Sequence, residues 1–381
     1  MTAAAPQGVP IGIPSVRGLF PVIFSGISLK ALISPLSEWH QFMHSQRHEG
    51  HISYNASQVV FGSWDNYVYC LDEDGNLLWK FATENAIEYA TPCLDHSTTV
   101  FVTSLDHYLY VLEEDGTLRF KILLDDAPHY SPAVDVATGD IYASSTSSLR
   151  KLRYDGTLLW QYAQSNLSTH ITLASSQIYI GAYNNKLIAI SKDDGSLAYE
   201  FVTEGYIINS SPAVKGDDVF IGDWDFYLYC IQNGSFKWRF EANGRIHASP
   251  SLSDTEIFFG DALGFFFSLA YDGTENWHID LPDIIFATAS ISSLSSSEPY
   301  LYVGCEDKRL YCIQNGEIIF SYEVGDIIDS SPATDKSQNV FFGSHDHYLY
   351  CILQENGSLR WKFLAGSTIA SSPSLFASSL L

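Results

Sequence analysis

The stretch FGSWDNYVYCLDEDGNLLWKF at 61–81 returns along the chain as IGDWDFYLYCIQNGSFKWRF from Ile221, VGCEDKRLYCIQNGEIIFSY from Val303 and FGSHDHYLYCILQENGSLRWKF from Phe342. Anchored on the small residue that ends its first apolar run, the repeat begins at Gly62, Thr103, Ser144, Gly181, Gly222, Gly260, Gly304 and Gly343. The period is therefore about forty residues, the mark of a solenoid, a propeller or an array. Each unit of such a chain is one supersecondary element that cannot bury its faces alone.

Within a unit the apolar residues recur at every second position. Tyr67, Tyr69 and Leu71 alternate with Val68 and Cys70, and Tyr227, Tyr229 and Ile231 do the same, which is strand patterning. Each unit reads as four short strands: a Ser-Pro run (SSPAV at Ser210, ASPSL at Ala248, SSPAT at Ser330), then VVFG-like, YVYCL-like and LLWKF-like runs. Asp-Gly turns at Asp74, Asp115, Asp155, Asp194 and Asp272 separate the last two strands, as tight hairpins require. Asp65, Asp106, Asp225, Asp307 and Asp346 recur in the preceding turn, where each is expected to cap its own backbone. Four strands per unit and no helical stretch between units predict an all-β, eight-bladed β-propeller of four-stranded blades.

The fourth strand repeats aromatic-x-aromatic: Trp79/Phe81, Trp160/Tyr162, Tyr199/Phe201, Trp238/Phe240, Phe320/Tyr322 and Trp361/Phe363. Rings recurring in register are expected to wedge between adjacent blades. After the last complete unit comes SSPSLF from Ser371, the first strand of a further unit with nothing after it. It is expected to insert into the blade that starts at Val59 and close the ring, which removes open edges. The segment His51–Gln58 competes for that slot but is shorter and lacks the Pro.

The expected organisation is a non-repeat N-terminal tail at 1–50, the propeller at 51–376 and a C-terminal tail at 377–381. Pro6, Pro10, Pro14, Pro21 and Pro35 break the apolar N-terminal stretch and Arg17 and Lys30 interrupt it. It is a poor signal peptide and a poor membrane anchor, so no stable membrane insertion is expected. The net charge of −24, with scattered Lys and Arg, argues against nucleic acid, which needs a clustered basic footprint. A monomer is expected.

Cys70, Cys230, Cys312 and Cys351 share one slot of the third strand in four units, while Cys93 and Cys305 stand alone. Equivalent positions in neighbouring blades exceed the reach of a disulfide. Buried free thiols are expected, which favours a reducing, cytoplasmic setting over periplasm or exterior. The Asn-x-Ser sequons at Asn55, Asn166, Asn209, Asn233 and Asn356 point weakly the other way.

The chain has no Gly-Lys-Ser/Thr phosphate loop, Gly-x-Ser-x-Gly elbow, His-Glu-x-x-His or Cys-x-x-Cys. His107, His345 and His347 resemble metal ligands, yet they fill turn slots held elsewhere by Trp64, Asn66, Trp224 and Phe226. No metal site is expected there. The third residue before each Ser-Pro proline should crowd the mouth of the central channel. Those residues are Tyr89, His129, Asn209, His247, Asp329 and Ala370, with Ser168 and Phe286 in the degenerate copies. This mixture of imidazole, acid, amide and ring suits a ligand site and also an ordinary solvated rim.

The alternation SSPAV, VFxGSxDxxLYC, DGxxxWxF resembles the PQQ-like (pyrroloquinoline quinone) repeat family of β-propellers, and the likeness covers most of the chain. That family includes quinoprotein alcohol dehydrogenases, the bacterial outer-membrane assembly lipoprotein, sensor domains and the C-terminal propeller of an acyl-adenylating enzyme. The dehydrogenases use PQQ with a calcium or lanthanide ion, a vicinal Cys-Cys disulfide and an Asp base. No two cysteines are adjacent here. The assembly lipoprotein would require a lipobox Cys, and the first cysteine is Cys70, inside a blade. The reading is a non-catalytic propeller with no cofactor that offers a protein or peptide partner its rim turns, with Trp64, Asp65, Trp224, Asp225, His345 and His347 as contacts. The alternative is a small-ligand or quinone site at the mouth, built on Tyr89, His129, Asn209, His247, Phe286 and Asp329.

Overall fold

The period-two runs of the repeat become antiparallel strands. In the first unit β1 (Gln58–Gly62), β2 (Tyr67–Asp72) and β3 (Leu77–Ala82) pair in sequence order, with Cys70 opposite both Val60 and Trp79. The second unit holds β4 (Cys93–Leu94), β5 (Val100–Thr103), β6 (Tyr108–Leu112) and β7 (Leu118–Leu123). The computed structural model describes residues 56–95, 97–135, 137–292 and 299–376. Among them every unit is a four-stranded sheet, eight in all and without a helix. The protein is thus the eight-bladed β-propeller that the repeat predicts. The tails at 1–50 and 377–381, and Asn55, lie outside the described residues.

Blade 1 contains β1–β3, blade 2 contains β4–β7, and blades 3 to 8 begin at Ala133, Thr172, Ala213, Ser251, Ser290 and Ala333. The innermost strand of blade 1 comes from the far end of the chain. Ser374–Phe376 pairs with β1 through Gln58–Phe376, Val59–Leu375 and Val60–Ser374. Phe376, 1% exposed, packs with Val60, Leu94 and Tyr110. Gln58 belongs to β1, so the C-terminal strand holds the slot for which His51–Gln58 competes.

The fourth-strand rings are the wedges expected, and their target is specific. The first ring of every fourth strand lies against the glycine of the next blade's outer turn: Trp79 on Gly116, Phe120 on Gly156, Trp160 on Gly195, Tyr199 on Gly234, Trp238 on Gly273, Trp277 on Gly316, Phe320 on Gly357 and Trp361 on Gly75. The indole N–H groups of Trp79 and Trp238 also donate to Glu114 O and Tyr271 O in those turns, at 2.8 and 3.0 Å. Basic residues guard the outer edges, which would otherwise recruit another strand. Lys80, Lys121, Arg239 and Lys362 lie over Tyr67, Tyr108, Tyr227 and Tyr348, 3.9 to 4.4 Å from the ring centroids. All six cysteines are buried free thiols.

The small residue that anchors the repeat is explained by a close approach. A Cβ on Gly222 would stand 2.3 Å from Ile246 Cγ2, because the connection to the next blade crosses directly above it. The capping aspartates hold with one correction. Asp65, Asp106, Asp307 and Asp346 each accept the backbone N–H two residues on. Asp225 does not. Asp223 takes over in blade 5, accepting from Asp225 N, Tyr227 N and Gly205 N at 2.9 to 3.0 Å. The residue in the slot of Ser63 is there a carboxylate, which reaches the equivalent backbone donors from two positions earlier; Asp261 does so in blade 6.

Candidate functional site

Two sets of loops share one end of the ring. The turn between the second and third strands of a blade bonds the connection arriving from the previous blade, as Trp64 N to Thr368 O, Trp224 N to Tyr206 O and His345 N to Ile327 O show. At that end the Ser-Pro runs turn in toward the axis. The residue before each proline, and His170 and Thr288 at the same position of the two units that lack the proline, then bonds its neighbour in a belt around the channel. Thr91 N donates to Ser131 Oγ, Ser131 N to His170 Nδ1, His170 N to Ser211 Oγ and Ser211 N to Ser249 Oγ. Ser249 N continues to Thr288 Oγ1, Thr288 N to Ser331 Oγ and Ser331 N to Ser372 Oγ. These seven links span 2.7 to 3.2 Å, and the buried Thr91 Oγ1 finds no partner among the described residues. Sequence reasoning missed this belt. The signal was there: every unit has Ser, Thr or His at the position.

Two residues upstream stand the expected mouth residues. Tyr89, Asn209, His247, Phe286, Asp329 and Ala370 line one cavity with Tyr130 and His170. His129 stands aside with its Nδ1 3.2 Å from Glu88 Oε2. Tyr89 and Phe286 meet across the mouth at 5.6 Å between ring centroids, and His247 stacks on Phe286 at 5.4 Å. The cavity is accordingly narrow, about 30 Å³. Burial withholds water from the His247 imidazolium and Arg245 repels it, so its pKa falls to about 4 despite the pull of Asp329. Burial first, and then Asp329, Glu88 and Glu306, push the Tyr89 hydroxyl up to about 12. Glu306 is itself raised by burial and by its neighbours Asp329 and Asp283.

The rim residues fall into two places. Trp64 lies 5.8 Å from the His345 ring, whose Nε2 is 3.0 Å from Asp329 Oδ2. His347 is exposed in a left-handed turn (φ 74°), and its carbonyl accepts from Ala365 N, so it is a turn residue. Around the ring, Trp224 and the exposed Asp225 border a groove with Asn185, Glu204, Tyr206 and Arg245. Its volume is about 360 Å³. Arg245 covers Trp224 at 4.8 Å, and Tyr206 stacks on Tyr183 at 4.5 Å. Tyr183, Tyr206, Phe226 and Leu263 are all more than 40% exposed, an unusual concentration of large apolar groups beside one groove.

The mouth can be tested against the quinone that the family resemblance implies. Pockets for molecules of that size run to about 300–1,000 Å³, and Tyr89 and Phe286 leave a tenth of that or less. All six cysteines are single buried thiols, and among the described residues no three His, Cys, Asp or Glu side chains are grouped to hold a metal ion. The residues present do not fit PQQ with its cation.

Comparison with known proteins agrees with the fold. Among curated proteins the chain is similar to the beta-alanine-activating enzyme of Homo sapiens, 37% identical over 79 residues, which is 20% of this chain and 7% of that protein. The Drosophila melanogaster enzyme of the same name is 24% identical over 212 residues, 52% of this chain and 18% of that protein. The chain spans less than a fifth of the length of these relatives. Among solved structures, BamB from Moraxella catarrhalis superposes with a TM-score of 0.62 at 12% identity, covering 80% of this chain and 94% of that one. A europium-containing methanol dehydrogenase superposes with a TM-score of 0.71 at 12% identity, covering 90% and 88%. Identity that low shows shared fold alone. A family model described as outer membrane protein assembly factor BamB matches residues 64–205, 145–262 and 202–371. Because those overlapping matches run unbroken over well more than half of the sequence, the chain belongs to this PQQ_2 family of propellers.

Proposed function

We infer that this propeller is a non-catalytic scaffold that captures a peptide segment of a protein partner in the groove beside Trp224. The observation that carries the reading is the groove itself, where Trp224, Tyr206 and Arg245 stand together at an open surface. Trp, Tyr and Arg are the residues that dominate interface energetics when they sit in a pocket ringed by other contacts. Exposed Tyr183, Phe226 and Leu263 supply that ring. The membership in a family described as an assembly factor supports the same reading. It needs no cofactor, and no catalytic residue is assigned.

Peptides selected from a random library against the whole chain test it. Replacing Trp224 by Ala should weaken the selected peptides by about tenfold or more, a loss of ~1.4 kcal/mol or above, while the thermal midpoint stays within a few degrees. Selected peptides that bind Trp224→Ala and Tyr206→Ala as well as the original chain would remove the groove from the function.

A further inference from the structure

The mouth contains a feature that capture of a peptide in the groove does not use. The Asp329 side chain is only 7% exposed, and its Oδ2 faces His345 Nε2 at 3.0 Å. Its other oxygen, Oδ1, is buried and has no hydrogen-bond partner among the described residues. A carboxylate oxygen left so is costly, by about 1–3 kcal/mol or more, and calls for a donor. The same cavity is lined by the rings of Tyr89 and Phe286, and aromatic rings attract cations. Glu88 and Glu306 lie close enough to Tyr89 to raise its hydroxyl pKa, so the charge beside Tyr89 is negative, while Arg245 is the cation nearest His247. His247, whose buried Nδ1 likewise has no hydrogen-bond partner among the described residues, lines the same space.

From these groups we propose that the channel mouth is a recognition site for a primary ammonium group, held by Asp329 and by the rings of Tyr89 and Phe286. A compact –NH₃⁺ supplies donors to the unpartnered carboxylate oxygen in a charge-assisted bond. It also suits a cavity of about 30 Å³, since roughly 10–15 Å³ of such space already holds one water-sized group. A trimethylammonium group is too large and has no donor. The ammonium is carried either by a free small amine or by a lysine side chain, and the site does not depend on the Trp224 groove.

Ligand-observed NMR titration of the full chain at about pH 8 tests this, with n-butylammonium, n-butanol and tetramethylammonium as probes. Saturable binding of n-butylammonium is expected, about tenfold or more above either control, and its loss in Asp329→Asn. Equal binding of butanol would overturn the assignment. So would undiminished binding by Asp329→Asn, or the absence of saturable binding, which would make the cavity a water site. Should Asp329→Asn fail to fold, Phe286→Leu supplies the second reading: it is expected to weaken n-butylammonium and leave butanol unchanged, and an unchanged ammonium affinity counts against the site. Acetyl-Gly-Lys-Gly amide distinguishes the sources. Tighter binding than n-butylammonium identifies a lysine side chain, and weaker binding a free amine.

Discussion

Trp361 and Gly75, 286 residues apart in sequence, lie face to face: a Cβ placed on Gly75 would stand 2.6 Å from Trp361 Cδ2. The indole N–H donates to Glu73 O at 2.9 Å in the same turn. Blade 8 is thereby fastened to blade 1 by the same contact that joins every other neighbouring pair. Gly75 also has φ +82°, a conformation that side chains resist. Gly75→Ala is therefore expected to destabilise the chain by about 2–4 kcal/mol in urea unfolding. Combined with Trp361→Ala it should cost less than the two changes added, because the clash disappears with the ring.

Asp346 is a strut between blades as well as a turn cap. Its Oδ2 accepts the Tyr350 hydroxyl at 2.6 Å and the Gly325 N–H of the preceding blade at 2.7 Å. Asp346→Ala should cost about 2–4 kcal/mol by stranding both donors, and Tyr350→Phe about 1 kcal/mol. In blade 5 the role belongs to Asp223, so Asp223→Ala should be as damaging. Asp225→Ala, at an exposed position, should stay within about 0.5 kcal/mol in the same assay.

His247 gives the mouth a pH dependence of known sign. The unfolded chain protonates it near its ordinary value of 6.5, the folded chain only near 4. Between those values the unfolded state binds more protons, so His247's contribution is complete above 6.5 and shrinks as pH falls toward 4. Comparing urea unfolding near pH 7.5 and near pH 4.5, His247→Gln should lose less stability than the original chain. The difference is at most about 3 kcal/mol. Equal losses would show that the imidazole is solvated in the folded chain.

Closure by the C-terminal strand is open to the same kind of measurement. Phe376→Ala should cost about 3–5 kcal/mol, as for other buried aromatic truncations. Ending the chain after Pro373 should leave β1 unpaired on its inner side and lower the midpoint further. A truncated chain of unchanged stability would mean that the strand adds nothing to the ring.

Local patterning was enough for the blade. Alternation in YVYC-like runs, Asp-Gly turns at fixed offsets and a period near forty leave few architectures open, because strand pairing within a unit is decided between neighbours in sequence. The C-terminal strand's partner was legible for the same reason, since SSPSLF is a copy of a strand seen in most other units. Where Asp225 misled, two carboxylates stood two residues apart and only backbone geometry chose Asp223.

The site depended on the third dimension. Tyr89 and Phe286 are nearly two hundred positions apart, and nothing in either unit says that their rings meet across the axis and narrow the mouth. The Trp224 groove likewise joins side chains of two turns and two blade-to-blade connections. The amino-acid order determined eight similar sheets and their order around a ring. Which of the mouth side chains meet across the axis, which oxygen of Asp329 is left without a donor among the described residues and how much space remains beside it were decided by closure, because a repeat encodes contacts between adjacent units while Tyr89 and Phe286 belong to units that are not adjacent.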